Sequence, residues 1–100
     1  MYSERYERFG QELGRMMGVL QDARQLSATR WRQDLDKQAT APLVMRLAFH
    51  QARVRDEVRH AYPGLDMLHD ENLSTVIFLG VVDAGEDNKE VEAALGFELT

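Results

Sequence analysis

Leu73-Ser74-Thr75-Val76-Ile77-Phe78-Leu79-Gly80-Val81-Val82 is the stretch on which the fold class of this chain turns. It is rich in β-branched residues and passes as a buried strand. A strand needs a neighbour, because one strand cannot satisfy its own backbone hydrogen bonds. The only candidate neighbour, Phe97-Glu98-Leu99-Thr100, is very short. The helical alternative is coherent. Asp70 caps, Glu71 enters the first turn, and Leu73, Val76, Ile77, Gly80, Val81 and Ala84 form a stripe closed by Gly85. The stretch is therefore read as helix. A short β element at 73–82, paired across a dimer, is the competing picture. Just downstream, Asp87 with Glu90 three residues on resembles a capping box for a last helix through Leu95, ended by Gly96.

Moving upstream, Thr40-Ala41-Pro42 opens another helix. Thr40 is the expected cap, and proline suits the first turn because its missing N–H has no partner there. Leu43, Leu47, Val54 and Val58 share one face, with Val44, Ala48 and Ala52 beside them. Tyr62-Pro63-Gly64 ends this helix, since the residue before a proline is pushed out of the helical region.

The first segment has Ser3 as its cap and Glu4 and Glu7 in its first turns, where acids suit the helix dipole. Tyr2, Tyr6, Phe9, Leu13, Met16, Leu20 and Ala23 follow at alternating spacings of four and three, a heptad seam. The seam fades at Ser27-Ala28-Thr29-Arg30, and Trp31 and Leu35 resume out of phase. A kink or a stop is expected near 27–29, with Ser27 or Thr29 capping a second short helix. Gly10, Gly14 and Gly18 stand four apart beside the seam. Each weakens a helix interior by about 1 kcal/mol relative to alanine. Three at regular spacing point to close backbone approach by another helix, within the chain or across a dimer. The self-interface is accordingly assigned to Tyr6, Phe9, Gly10, Leu13, Gly14, Met16, Gly18 and Leu20.

These segments make an all-α protein, a small bundle of about four to five helices in a single domain over residues 1–100. One hundred residues form a single domain with a modest core that another chain could complete. An apolar share of 44% against 29% charged is a globular composition. The absence of cysteine excludes disulfides, thiolate metal sites and cysteine nucleophiles. No apolar run is long enough to span a membrane, and the opening MYSERYERFGQEL lacks the apolar core of a secretory signal. A cytoplasmic location is expected.

The net charge of -5 is unevenly spread. Residues 1–37 hold seven basic and six acidic residues, and 38–64 hold four arginines and two acids. Residues 65–100 hold one lysine against nine acids, a local net of -8. The basic helix carries Arg46, His50, Arg53, Arg55, Arg59 and His60, and Arg30-Trp31-Arg32 adds a basic–aromatic cluster. Aromatic and arginine side chains are the usual anchors of protein interfaces, so Trp31, Arg46, Arg53 and Arg59 are assigned to partner binding. The bland reading makes Trp31 a core anchor and pairs the arginines with Asp34, Asp36, Asp56 and the acidic tail.

Chemistry-bearing patterns are weak. Glu57-x-x-His60 and Asp66-x-x-His69 have the spacing used in carboxylate-bridged metal bundles, but Arg53, Arg55 and Arg59 crowd the first pair and would repel a metal. Glu86, Asp87, Glu90 and Glu92 could hold magnesium for an all-α nucleotide hydrolase, yet no second acid cluster stands in the right arrangement. Ser3, Ser27 and Ser74 lie in no nucleophile motif. No catalytic, cofactor-binding or metal residue is assigned, and catalysis is not expected. The reading is a small soluble regulator, adaptor or inhibitor that binds a protein partner through helix surfaces, with homodimerisation expected. The alternatives are a nucleic-acid binder using helix 41–61 and Trp31, or a magnesium-dependent hydrolase using the acidic cluster.

Overall fold

A computed structural model describes residues 2–37, 39–63, 70–96 and 99. The described residues form four helices and no strand: α1 (Tyr2–Asp34), α2 (Leu43–Ala61), α3 (Asp70–Asp83) and α4 (Asn88–Leu95). The expectation of an all-α bundle holds, with four helices. The 73–82 stretch is entirely helical, which removes the β alternative there. Its β-branched residues are tolerated because α3 is enclosed, with Leu73, Ile77, Phe78, Gly80 and Val81 buried. Tertiary burial overrides a weak local preference. Residues 97, 98 and 100 of the candidate neighbour strand lie outside the described residues, while Leu99 packs into the core.

α1 runs unbroken through 27–29, so the expected stop is not there and neither Ser27 nor Thr29 begins a second helix. The reason is a change of stripe rather than its end. Val19, Ala23, Ser27 and Trp31 are four apart and all buried, a line that drifts slowly around a straight helix. Ser27 holds a core position because its hydroxyl donates to the Ile77 carbonyl of α3. The helix–helix approach that needs glycine is also at α3. A Cβ on Gly80 would lie 2.5 Å from the Arg24 carbonyl oxygen and 2.6 Å from Ser27 Cβ. By contrast, among the described residues nothing lies within 4 Å of the Cβ positions of Gly10, Gly14 and Gly18, so they make no close approach at that strip.

α2 begins two residues later than expected. Pro42 is the N-cap and has no side-chain cap bond; its carbonyl accepts from Met45 N and Arg46 N, both at 3.1 Å. Thr40 therefore does not cap. Leu47, His50, Val54 and Val58 are buried, whereas Val44, Ala48 and Ala52 face outward. Those three were expected beside the core face. They fall on the other side because His50 takes the core position between Leu47 and Val54. The Tyr62 N–H closes α2 on the Val58 carbonyl at 3.0 Å, and its hydroxyl donates to Asp22 Oδ2 at 2.6 Å.

α4 follows its sequence signals. Asp87 accepts from Lys89 N at 2.9 Å and Glu90 N at 3.1 Å. Gly96 ends the helix at φ 73°, a left-handed conformation that glycine adopts without strain. The molecule measures 57 × 26 × 19 Å. The long dimension follows from α1, whose 33 residues span about 50 Å. No helix among the described residues is long and apolar enough to cross a membrane.

Candidate functional site

The site grows from one buried polar pair. His50 is 4% exposed, and Ser27 Oγ lies 2.8 Å from its Nε2. The serine has one proton, and the Ile77 carbonyl can only accept it. Nε2 must therefore carry a proton and donate to Ser27 Oγ. That fixes the tautomer and leaves Nδ1 as a buried acceptor without a hydrogen-bond partner. Burial lowers the His50 pKa to about 4, and Arg53 adds to this while Asp34 and Glu57 oppose it. The imidazole is neutral at pH 7. Although serine and histidine are adjacent, they do not form a nucleophile pair. Ser27 is wholly buried and its proton is committed to a main-chain oxygen.

Around His50, α1 and α2 build a cleft of about 250 Å³. Trp31 forms its back wall, edge-on to the His50 ring at 5.1 Å between centroids and 83° between planes. The Arg46 guanidinium stacks 4.6 Å from the Trp31 ring centroid, a cation–π arrangement. Glu86, in the turn before α4, holds both. It accepts from Trp31 Nε1 at 3.2 Å and lies 3.8 Å from Arg46. Lys37, Asp34, Arg53 and Phe49 complete the lining. Arg53 donates to Asp34, which raises the Arg53 pKa, and lies 3.7 Å from Glu57.

The structure thus gathers Trp31, Arg46 and Arg53 at one place and puts Arg59 elsewhere, paired with Asp70. Trp31 is only 3% exposed and serves as a wall. The basic strip is largely neutralised within the chain. Arg24 meets Asp83 at 2.5 Å, and Arg30 meets Glu57 at 3.1 Å. The Arg24 hydrogen bond holds the Asp83 carboxyl below its usual pKa.

Sequence reasoning missed the apolar row next to the cleft. Val44, Met45 and Phe49 of α2 are 52, 60 and 71% exposed. The signal was available, because 45, 49 and 52 repeat at helical spacing opposite the buried stripe. Of the self-interface residues, Gly10, Leu13, Gly14 and Gly18 are exposed and Met16 and Leu20 are half-buried, while the side chains of Tyr6 and Phe9 lie outside the described residues. The acids of the proposed magnesium cluster are dispersed. Glu86 faces Trp31, Asp87 caps α4, and Glu92 accepts from Asn88 Nδ2 and Leu99 N. Among the described residues no three histidine or carboxylate groups are placed to hold a metal. Glu57 of the first acid–histidine pair is held by Arg30, and the Asp66–His69 pair lies outside the described residues. No family model, curated protein or solved structure matches this chain.

Proposed function

We propose that this chain is a small helical protein-binding module, a regulator, adaptor or inhibitor, that captures its partner on the outward face of α2 and the cleft beside it. The observation that supports this is the two-sided character of α2. One apolar stripe fills the core, and a second, through Val44, Met45 and Phe49, is turned to solvent. Exposed apolar side chains clustered beside polar groups are the usual mark of an interaction surface. The flanking cations, Lys37, Arg46 and Arg53, supply the rim. A cleft of 250 Å³ is smaller than ordinary small-molecule pockets and suits one inserted side chain of a partner.

The experiment compares the proteins retained by immobilised wild type with those retained by Met45→Asp and Phe49→Asp. Both positions are exposed, so melting should not change. The expected result is one retained protein lost from both variants and surviving high salt. Retention unaffected by either aspartate would refute the reading. Salt-sensitive retention of RNA or DNA instead would favour the nucleic-acid alternative.

A further inference from the structure

The amino-terminal half of α1 is helical, and among the described residues nothing is packed against its glycines at 10, 14 and 18. Among residues whose burial is described, none before Val19 is buried. Leu13 and Met17 remain 44 and 64% exposed. α2 reaches back only to the level of Asp22, where the Tyr62 hydroxyl meets it. Residues 2–18 therefore project by almost five turns, about 25 Å. The heptad seam at 6, 9, 13, 16 and 20 runs the length of this projection and joins the core stripe that starts at Val19.

We propose that this half of α1 pairs with the same segment of a second copy, antiparallel, as a two-stranded coiled coil centred near Gln11. The self-complementary seam selects the occupant, and charge permits it and sets the direction. The projecting segment carries Glu4, Glu7 and Glu12 against Arg5, Arg8 and Arg15, so its net charge is zero within an acidic chain. A copy meets no net repulsion on it, whereas it would on the rest of the molecule. Parallel pairing would set two carboxy-terminal parts, each with one lysine against nine acids, side by side. Antiparallel pairing sends them to opposite ends of the coil, several Debye lengths of about 8 Å apart. The seam agrees with this direction. With the centre at Gln11, position 13 lies opposite position 9 of the copy, 16 opposite 6, and 20 opposite 2, so each seam residue meets an apolar or aromatic one. Gly10, next to the seam, leaves open space there for the copy's helix.

Mass in solution by sedimentation, with single spin labels, tests this. The expected species is a dimer of twice 11.5 kDa that persists at high salt, because the seam is apolar. Leu13→Asp and Met16→Asp should each weaken it at least about tenfold by placing a charge at the contact. Both sites lie clear of the core, so thermal melting of the bundle should persist in each. The chain has no cysteine, so Glu4→Cys and Gln11→Cys give unique label sites. Both sites point away from the seam, so their separations differ by the axial offset alone: labels at 4 should stand about 20 Å farther apart along the axis than labels at 11, which stand level. A monomer at every concentration, a dimer indifferent to both aspartates, or equally short distances at the two label sites would each overturn the proposal. None of these outcomes depends on the α2 surface.

Discussion

Gly80→Ala should destabilise this protein, although alanine is the better helix former. In an exposed helix interior the change stabilises by about 1 kcal/mol through backbone entropy. At Gly80 the added methyl would sit 2.5 Å from the Arg24 carbonyl oxygen, 2.6 Å from Ser27 Cβ and 2.7 Å from Ser27 Oγ. The first of these atoms is backbone and cannot rotate away. α3 must then move off α1, loosening the Ser27 bonds to Ile77 and His50. Overpacking of this kind costs about 1–3 kcal/mol, and a 2.5 Å clash with a backbone oxygen takes the upper half of that range, so the net loss after the helix gain is about 1–2 kcal/mol. For a chain of this size that lowers Tm by about 5–15 °C. The assay is urea unfolding followed by circular dichroism, with Gly14→Ala as the control, since a Cβ there meets nothing within 4 Å. The control should be neutral or stabilising, and the denaturant slope should be the same for both. A Gly80→Ala variant as stable as wild type would refute the packing of α3 against α1 described here.

Stability should also fall with acid. The His50 pKa is lowered from 6.5 to about 4 by folding, so the native state binds fewer protons than the unfolded chain between those values. The contribution is fully present above 6.5 and is lost as pH falls through about 4, amounting to as much as about 3 kcal/mol. A His50→Gln variant should flatten that part of the stability–pH curve, and an unchanged slope would show that another group controls it. At α4, Asp87→Ala removes the acceptor of two backbone N–H groups and should cost about 1 kcal/mol. Hydrogen exchange at Lys89 and Glu90 should rise first, and unchanged protection there would count against the cap.

The parts of this fold legible in the sequence were those set by local chemistry. Asp87 and Gly96 bound α4 because capping depends on a few adjacent atoms. α3 was readable as helix because the strand reading left its hydrogen bonds without partners. The parts that were not legible depend on contacts far apart in sequence. Ser27 looked like a helix boundary, and it is a core residue only because His50 and Ile77 lie 23 and 50 residues away. His50 looked like part of a basic face for the same reason. Its partner on another helix makes the buried position tolerable, since a buried polar group needs a hydrogen bond. The structure brings Trp31 and Arg46 into contact, as their shared grouping in the sequence suggested, but the exposed row at Val44, Met45 and Phe49 was not singled out, because apolar residues were assigned to the core by default.

The charge asymmetry of the chain finds much of its use inside the molecule. Acids from the carboxy-terminal third meet arginines from the first two helices: Asp83 with Arg24, Glu86 with Arg46, and Asp70 with Arg59. The exposed pairs, Arg24 with Asp83 and Arg59 with Asp70, contribute at most about 1 kcal/mol each and do little to hold the bundle together, whereas the Arg46–Glu86 pair is partly buried against Trp31. Their effect is to set which surfaces face each other and to cancel the basic strip that would otherwise attract polyanions. What α2 then presents to solvent beside the cleft is mainly apolar, with Phe49 at its centre and its nearest guanidiniums already occupied. Recognition on such a face depends on apolar burial, which salt does not screen. The expected insensitivity of partner capture to salt follows from the same ion pairs that neutralise the arginines.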